Sequence, residues 1–418
     1  MMTTQSAEPI DGLTVGDEVE VVVGAVAHGG HFVARHEGRV IFVRHTLPGE
    51  RVRVRITDGG PGERFLRGDA VEVLEPSADR VSPPCAFSGP GMCGGCDFQH
   101  VDLARQRLLK ADVVREQFER LAGIGDLGDL VVEPVEGSVP ETLAGLRWRS
   151  RVEFAVGEDG RAGLRRHRSH AIVPIDDCVI ADPRIIDTGV LGRTWAGEKA
   201  VDVIAPAVGE TVVVPVPSGD PGPDVTETVA VAGREHAYAV AARGFWQVHT
   251  GAPNTFVDAV MAAAEARPGE KVIDLYSGAG LFSVPLAHAV GERGAVQGVE
   301  SDRSAVEHAV ANLAATPWAQ AKRDRVDRWL NAAARTRRRA DLVVLDPPRT
   351  GAKRAVLRDV VGLRPRRIVY VACDPAALAR DAGYLREFGW SLTGLRALDA
   401  FPMTHHVECV AVFEPARG

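Results

Sequence analysis

The sequence predicts an α/β protein whose C-terminal part is a doubly wound parallel sheet. A small β-barrel of the OB type and a β-rich central region precede that sheet. Two observations carry the prediction. From about residue 254, short apolar runs alternate with segments of helical periodicity, the pattern of strands whose crossover helices cover both faces of a sheet. Between residues 8 and 75, five β-rich runs are separated by Gly, Pro and charged turns, as suits a small closed barrel.

In chain order, "EVEVVVGAV", "HFVARHEG", "RVIFVRH", "ERVRVRIT" and "GDAVEVLE" are the five barrel runs. A Pro and Ser boundary, "PSADRVSPPC", follows. "VDLARQRLLKADVVREQFERLAG" (101–123) has apolar residues at helical spacing and reads as a helix, one that can pack on the C-terminal domain. Residues 76–246 form the central region, with short strands and loops such as "VPSGDPGPD". The C-terminal domain, 247–418, alternates "KVIDLYS" with "LFSVPLAHAV", "AVQGVES" with "DRSAVEHAVANLA", "DLVVLDPPR" with "KRAVLRDVV", and "RIVYVACD" with "PAALARDAGYLREF". Two further strands, "SLTGLRALDAF" and "HHVECVAVF", close the chain.

At 418 residues, 45% hydrophobic and 25% charged, the chain has the composition of a soluble multidomain protein. No apolar run is long enough to span a bilayer. The N-terminal "MMTTQSAEPIDG" has neither a basic nor an apolar region, so no signal peptide is expected and a cytoplasmic location is. A monomer is expected. The net charge of −7 argues mildly against a nucleic-acid partner, so local clusters decide. "RWRSRVEF" and "RAGLRRHRSH" gather Arg147, Arg149, Arg151, Arg161, Arg165, Arg166 and Arg168, with Trp148 and Phe154 available to stack on splayed bases. A second cluster runs from Lys322 to Arg339, where a solvated helix face is an equal reading.

Ligands of a doubly wound sheet bind at the C-terminal ends of its strands. There "DLYSGAGLFS" places Gly278 and Gly280 in the first strand-to-helix turn, and Glu300 ends the second strand, suited to ribose hydroxyls. Both features fit NAD or S-adenosylmethionine. Ser283 stands where a dinucleotide fingerprint has its third Gly. "DPPR" (Asp346–Arg349) on the next strand edge adds a rigid loop that can hold a planar base, and together these favour adenosylmethionine.

Cys373 ends the apolar run "RIVYVAC" at the same edge. A cysteine there is usually buried filler, but a helix begins just after it and would favour its thiolate. Glu408 begins the last strand. Cys409 beside it points to the opposite face and reads as core. Cys85, Cys93 and Cys96 have metal-ligand spacing, and Cys178 is the remaining candidate for a fourth ligand. Spacing alone fits zinc or a [4Fe–4S] cluster.

"DLYSGAGLFS", "LDPPRTG", "YVACDPAALARD" and "DAFPMTHHVE", in this order, resemble the RNA 5-methyluridine methyltransferases over almost the whole chain. "CAFSGPGMCGGCDFQH" and the N-terminal barrel, which is TRAM-like, are similar to the ribosomal-RNA type. The resemblance implies a Rossmann-like methyltransferase domain, an RNA-binding TRAM barrel and a central domain carrying a [4Fe–4S] cluster on Cys85, Cys93, Cys96 and Cys178. It implies Cys373 as the nucleophile that adds to uracil C6 and Glu408 as the base that removes the C5 proton. Gln247, Tyr276, Leu281, Glu300 and Asp346 match adenosylmethionine-binding positions, Leu281 and Asp374 standing where relatives often have Asn. The implied substrate is 23S rRNA. The alternatives are a tRNA uridine C5-methyltransferase and a non-catalytic Fe–S RNA-binding assembly factor. An RNA cytosine methyltransferase is disfavoured because those enzymes use two active-site cysteines and only Cys373 is suitably placed.

Overall fold

The structure, a computed structural model, describes residues 12–137, 143, 145–217, 222–231 and 233–416. The N-terminal stretch read for a signal sequence and part of the 216–224 loop lie outside them. The chain gathers into two compact units. One holds the residues up to Leu109 with Arg165–Ala171 and Met403–His405; the other holds the rest.

In the first unit, β1 (Glu18–Ala27), β2 (His31–His36), β3 (Arg39–Arg44), β4 (Arg51–Asp58) and β5 (Phe65–Glu75) close into a barrel of order β1-β2-β3-β5-β4. Period-two alternation makes this possible. Val19, Val21 and Val23 of β1 and Val52, Val54 and Ile56 of β4 point inward and are buried. Their outward neighbours form ion pairs across the strands, Arg55 with Glu18 at 2.7 Å and Arg51 with Glu75 at 2.9 Å. Exposed pairs of this kind stabilise by about 0–1 kcal/mol each. Their larger consequence is that the arginines of the β1–β4 face arrive already neutralised. Gly68 is required in β5: a Cβ there would overlap Val54 and the Arg55 carbonyl on the paired strand.

Helix α1 (Leu103–Gln117) follows, and the division between units falls inside it, between Leu109 and Lys110. It continues as a π-helical turn, Phe118–Ala122, that stops on Gly123 in the left-handed region at φ 63°. The expected helix over 101–123 is thus a helix with a widened last turn.

In the second unit, β6 (Val132–Pro134) precedes β7 (Arg151–Val156), β8 (Ala162–Arg165) and β9 (Ile172–Pro174). A short helix α2 (Pro183–Asp187) leads to β10 (Ala200–Ile204) and β11 (Val212–Val216), giving a five-stranded sheet of order β11-β10-β7-β8-β9. β12 (Asp224–Val231) and β13 (Arg234–Ala241) form a hairpin.

The alternating pattern then delivers α3 (Ala252–Ala264), β14 (Lys271–Leu275), α4 (Ser283–Val290), β15 (Ala295–Glu300), α5 (Arg303–Asn312), β16 (Ala319–Arg323), α6 (Val326–Arg335), β17 (Leu342–Leu345), α7 (Lys353–Gly362), β18 (Arg367–Ala372), α8 (Pro375–Glu387), β19 (Trp390–Asp399) and β20 (Glu408–Pro415). The eight-stranded sheet runs β16-β15-β14-β17-β18-β20-β19-β6. Its first five strands are parallel, and β20 is antiparallel to β18.

Side chains alternate between two cores. Ile273, Leu275, Val343, Leu345 and Ile368 pack with α6, α7 and α8. Val272, Val296, Leu342, Val344 and Val369 pack with α3, α4 and the β12–β13 hairpin. Truncating one of these, Leu345→Ala for example, costs about 2–5 kcal/mol. Strand order reverses between β14 and β17, so the ligand crevice of such a sheet opens there. Two strands escaped the sequence reading: β16, a polar edge strand, and β6, three residues long and added from outside the alternating segment. Among the described residues no helix is long and apolar enough to cross a membrane.

Candidate active site at the C-terminal edge of the sheet

The turn after β14 is shaped by its backbone. Tyr276 has φ 63°, Gly278 φ 52° and Gly280 φ 93°. A Cβ on Gly278 would meet nothing within 4 Å, so glycine is favoured there by φ and leaves open space above the turn. Glu300, ending β15, accepts the N–H groups of Gly278 at 3.2 Å and Asp302 at 2.8 Å, and that of Ser301 between them. These bonds orient its carboxylate at the switch point.

Beneath the turn, fully buried Asp274 accepts the Ser283 hydroxyl at 2.6 Å, and burial pushes its carboxyl up to about 7. Asp274 Oδ1 and Ser277 Oγ are buried with no hydrogen-bond partner among the described residues. Such orphans are costly unless a ligand or water completes them. Orphaned acceptors, an open glycine turn and an acidic strand end fit a polar, positively charged cofactor such as adenosylmethionine. The sequence reading missed Asp274 and Ser277. A carboxylate inside the apolar run "KVIDL" was the available signal.

The other half of the edge is built by β17, β18 and β20. Ala372 pairs with Cys409, so one step further Cys373 comes opposite Glu408, the first residue of β20. Cys373 is half-buried, whereas Cys409 is fully buried core, as expected. Pro347, Pro348, Arg349, Cys373, Asp374 and Ala377 line a shallow cleft open to solvent. Burial pushes Asp346 up to about 7, with the Asp274 charge adding to it. Glu408 is raised well above the usual carboxylate range by burial and by Asp346, against the opposing pull of Arg349.

The surroundings of Cys373 oppose the expected thiolate. Burial, then the charges of Glu408 and Asp346, push the thiol up to about 12, and Arg349 alone pulls the other way. The helix N-terminus that was to favour a thiolate is already capped. Asp374 Oδ1 accepts the Ala377 N–H at 2.7 Å, placing an anion at the first turn of α8. That N-cap role also accounts for Asp374, since Asp and Asn cap equally well.

The remaining predicted residues divide. Tyr276, Glu300 and Asp346 stand at the strand ends on either side of the switch point. Gln247 is buried in the segment after β13, next to Trp246, which packs on Tyr238 with ring centroids 5.3 Å apart. Leu281 is core: its side chain is buried, and its carbonyl accepts the Tyr238 hydroxyl at 3.1 Å. Any contact it makes with a ligand is therefore through its backbone.

Cys85, Cys93 and Cys96 lie in the first unit, on one irregular segment where the Gly95 N–H donates to Cys93 Sγ at 3.4 Å. Cys178 is buried in the second unit. No disulfide joins described cysteines, and among the described residues no group of three or more His, Cys, Asp or Glu side chains is gathered as a metal site.

The first arginine cluster separates once folded. Arg147 grips Asp177 through two bonds of 2.8 and 2.7 Å, and buried Arg151 pairs with Glu227 at 2.6 Å, so both are structural. Arg161, Arg165, Arg166 and Arg168 remain exposed. The expected base-stacking residues are not available. Trp148 and Phe154 are 1% and 0% exposed, and Trp148 stacks on His249 at 5.5 Å. Their alternation with charged residues marked inward-facing positions, and the core took them. In the second cluster, Arg325 pairs with Asp327 and Arg328 with Asp324, which is a solvated helix face.

Comparison with known proteins gives the same assignment. The profile of the tRNA (Uracil-5-)-methyltransferase family matches residues 199–415, and that of the TRAM domain residues 12–71. An RNA methyltransferase of Streptomyces avermitilis, itself uncharacterized, is 47% identical over 96% of this chain and 99% of its own. The 23S rRNA (uracil(1939)-C(5))-methyltransferase of Alkalilimnicola ehrlichii is 33% identical over 94% of this chain and 96% of its own. The Pyrococcus abyssi tRNA (uracil-54, C5)-methyltransferase, solved with S-adenosyl-L-homocysteine, superposes with a TM-score of 0.67 at 21% identity, covering 94% of this chain and all of that one, and so shares its fold. The chain belongs to the family of adenosylmethionine-dependent RNA (uracil-C5) methyltransferases.

Proposed function

We propose that the protein methylates C5 of a uridine in 23S rRNA, with Cys373 as nucleophile and Glu408 as base. The observation that supports this best is the register of β18 and β20, which sets a thiol opposite a buried carboxyl at the ligand edge. C5 of uracil is a weak nucleophile. The Cys373 sulfur adds to C6 as its S–H bond breaks and the proton passes to solvent, leaving Glu408 free for the later proton, and the C5–C6 π electrons become an enolate over C5, C4 and O4. Bound adenosylmethionine supplies the electrophilic methyl group that C5 takes up. Glu408 then removes the C5 proton. The electron pair of that C–H bond restores the C5–C6 double bond while the C6–S bond breaks and the thiolate is released. A carboxyl with a raised pKa is a base suited to that proton, because it holds it firmly once transferred.

Arg349, the cation acting on both groups, opposes the negative charge that each step gathers there. Glu300 binds the ribose hydroxyls, and Asp346, Tyr276 and Gln247 complete the cofactor site, with Leu281 contributing only its backbone. The 23S assignment rests on the full-length similarity to the Alkalilimnicola enzyme. Methyl transfer to unmodified 23S rRNA and tRNA transcripts, followed by mapping of the methylated base, tests it. We expect 5-methyluridine in 23S rRNA. Modification of tRNA alone overturns the substrate, and no transfer to either overturns the enzyme reading.

The cysteines are assigned a [4Fe–4S] cluster, with Cys85, Cys93 and Cys96 as three ligands and Cys178 as the fourth. The N–H···S bond from Gly95 orients the Cys93 sulfur as an acceptor within that segment. Protein purified without oxygen should carry about four irons, lost in Cys96→Ala and Cys178→Ala alike. Stoichiometric zinc in place of iron overturns the assignment.

A further inference from the structure

We propose that Asp381, with Tyr370, is a positioning residue that fixes the loop from Pro347 to Lys353 and through it holds Arg349 beside Cys373 and Glu408. This rests on the reading of the site given above. Asp381 lies within α8, fully buried, where a carboxylate is expensive unless it is fully bonded. Its Oδ2 accepts the Ala352 N–H at 2.7 Å, the Lys353 N–H at 3.1 Å and the Tyr370 hydroxyl at 2.7 Å. Its Oδ1 accepts Arg380 Nη2 at 2.7 Å, and the same nitrogen donates to the Thr350 carbonyl at 2.9 Å. The hydroxyl of Tyr370, itself buried, also accepts the Ala352 N–H at 3.0 Å. Every one of these partners is either loop backbone or a side chain that grips it.

The loop is built to be held this way. The Gly351 N–H donates to the Pro348 carbonyl at 2.8 Å, closing a turn with Arg349 and Thr350 at its apex. Gly351 has φ 72°, and a Cβ there would lie 2.6 Å from both Asp381 Oδ2 and Arg380 Nη2. The backbone therefore rests directly on the carboxylate. Two prolines stiffen the approach, so an anchor at 351–353 fixes the direction of Arg349. None of Asp381's hydrogen bonds goes to Cys373 or Glu408, so its effect has to travel through the loop.

The test is a double-mutant cycle with Arg349. Asp381→Asn should lower kcat about tenfold to a hundredfold, the usual cost of a misplaced group near the chemistry, and leave KM for adenosylmethionine within about twofold. In an Arg349→Ala background the same change should cost under about twofold, because its target is already gone. Tyr370→Phe, which keeps the ring, should show a smaller loss with the same non-additivity, and it replaces Asp381→Asn in the cycle if that variant does not fold. Equal losses in both backgrounds, or no loss with Arg349 present, overturn the proposal. Turnover retained by Cys373→Ala would overturn the underlying mechanism; additive cycles in an enzyme that needs Cys373 would remove only the positioning role.

Discussion

The two halves of the sheet edge use carboxylates in opposite ways. At β15, Glu300 is held by backbone N–H groups from its own turn and from the glycine turn of β14. At β17 and β20, Asp346 is half-buried and Glu408 buried, and desolvation raises both, with the charge of Asp274 adding to Asp346 and that of Asp346 to Glu408. Backbone donors fix the direction of a carboxylate, which suits it to gripping hydroxyls. Burial raises a carboxyl's affinity for its proton, which suits it to proton transfer. One edge thus binds on one side of the switch point and reacts on the other.

The most direct way to break this comparison is at the reactive half. Cys373→Ala should lower methyl transfer at least about a thousandfold while still binding adenosylmethionine, because removing a nucleophile abolishes the covalent path and leaves the binding half intact. Near-normal turnover in that variant ends the division. Glu408→Gln should lose about a hundredfold to ten-thousandfold, the range for a general base. It should also accumulate a methylated, covalent protein–RNA adduct, seen as a slow band on denaturing gels. That band must vanish when Cys373 is also replaced.

The binding half should answer differently. Glu300→Gln keeps an acceptor for the turn but removes the charge offered to the ligand. It should weaken adenosylmethionine by about tenfold, on the scale of a hydrogen bond to a charged group, with kcat at saturation changed by less than about twofold. Calorimetry and saturation kinetics together check it. A fall in kcat with unchanged affinity would mean the two halves do not separate.

What the sequence disclosed follows the same line. Strand ends and glycine turns were legible because periodicity and Gly-x-Gly are local signals, so Gly278, Glu300, Asp346 and Cys373 could be placed on one edge in advance, while Tyr276 and Glu408 came from the family resemblance. The ionisation of Cys373 was not legible. It depends on carboxylates that arrive from β17 and β20, far away in sequence, and on Asp374 occupying the helix cap. Trp148 and Phe154 misled because the charge of their neighbours was read and the alternation that turned them inward was not. Arg147 and Arg151 went to buried or half-buried partners for the same reason. Asp381 was invisible, since one carboxylate in the helical run "PAALARDAGYLREF" reads as surface until the loop it anchors is in place.

The smallest expected effect is one of stability, and it probes the reactive half without substrate. Folding raises Asp346 to about 7 from an ordinary carboxylate value of about 4. The fold therefore favours the protonated acid. Its contribution is fully present below about pH 4 and is lost as the pH rises through about 7, where a charge must form in a buried site beside Asp274. Asp346→Asn keeps the shape and cannot ionise. Its thermal midpoint should lie close to the parent's at pH 4 and exceed it by a margin that widens up to pH 8. Removing that neighbouring charge also lowers the range in which Glu408 titrates, so the acid limb of kcat, measured at saturating adenosylmethionine, should move to lower pH. Parallel midpoint curves from pH 4 to 8 would show that Asp346 is not held protonated, and the account of the reactive half would lose its physical basis.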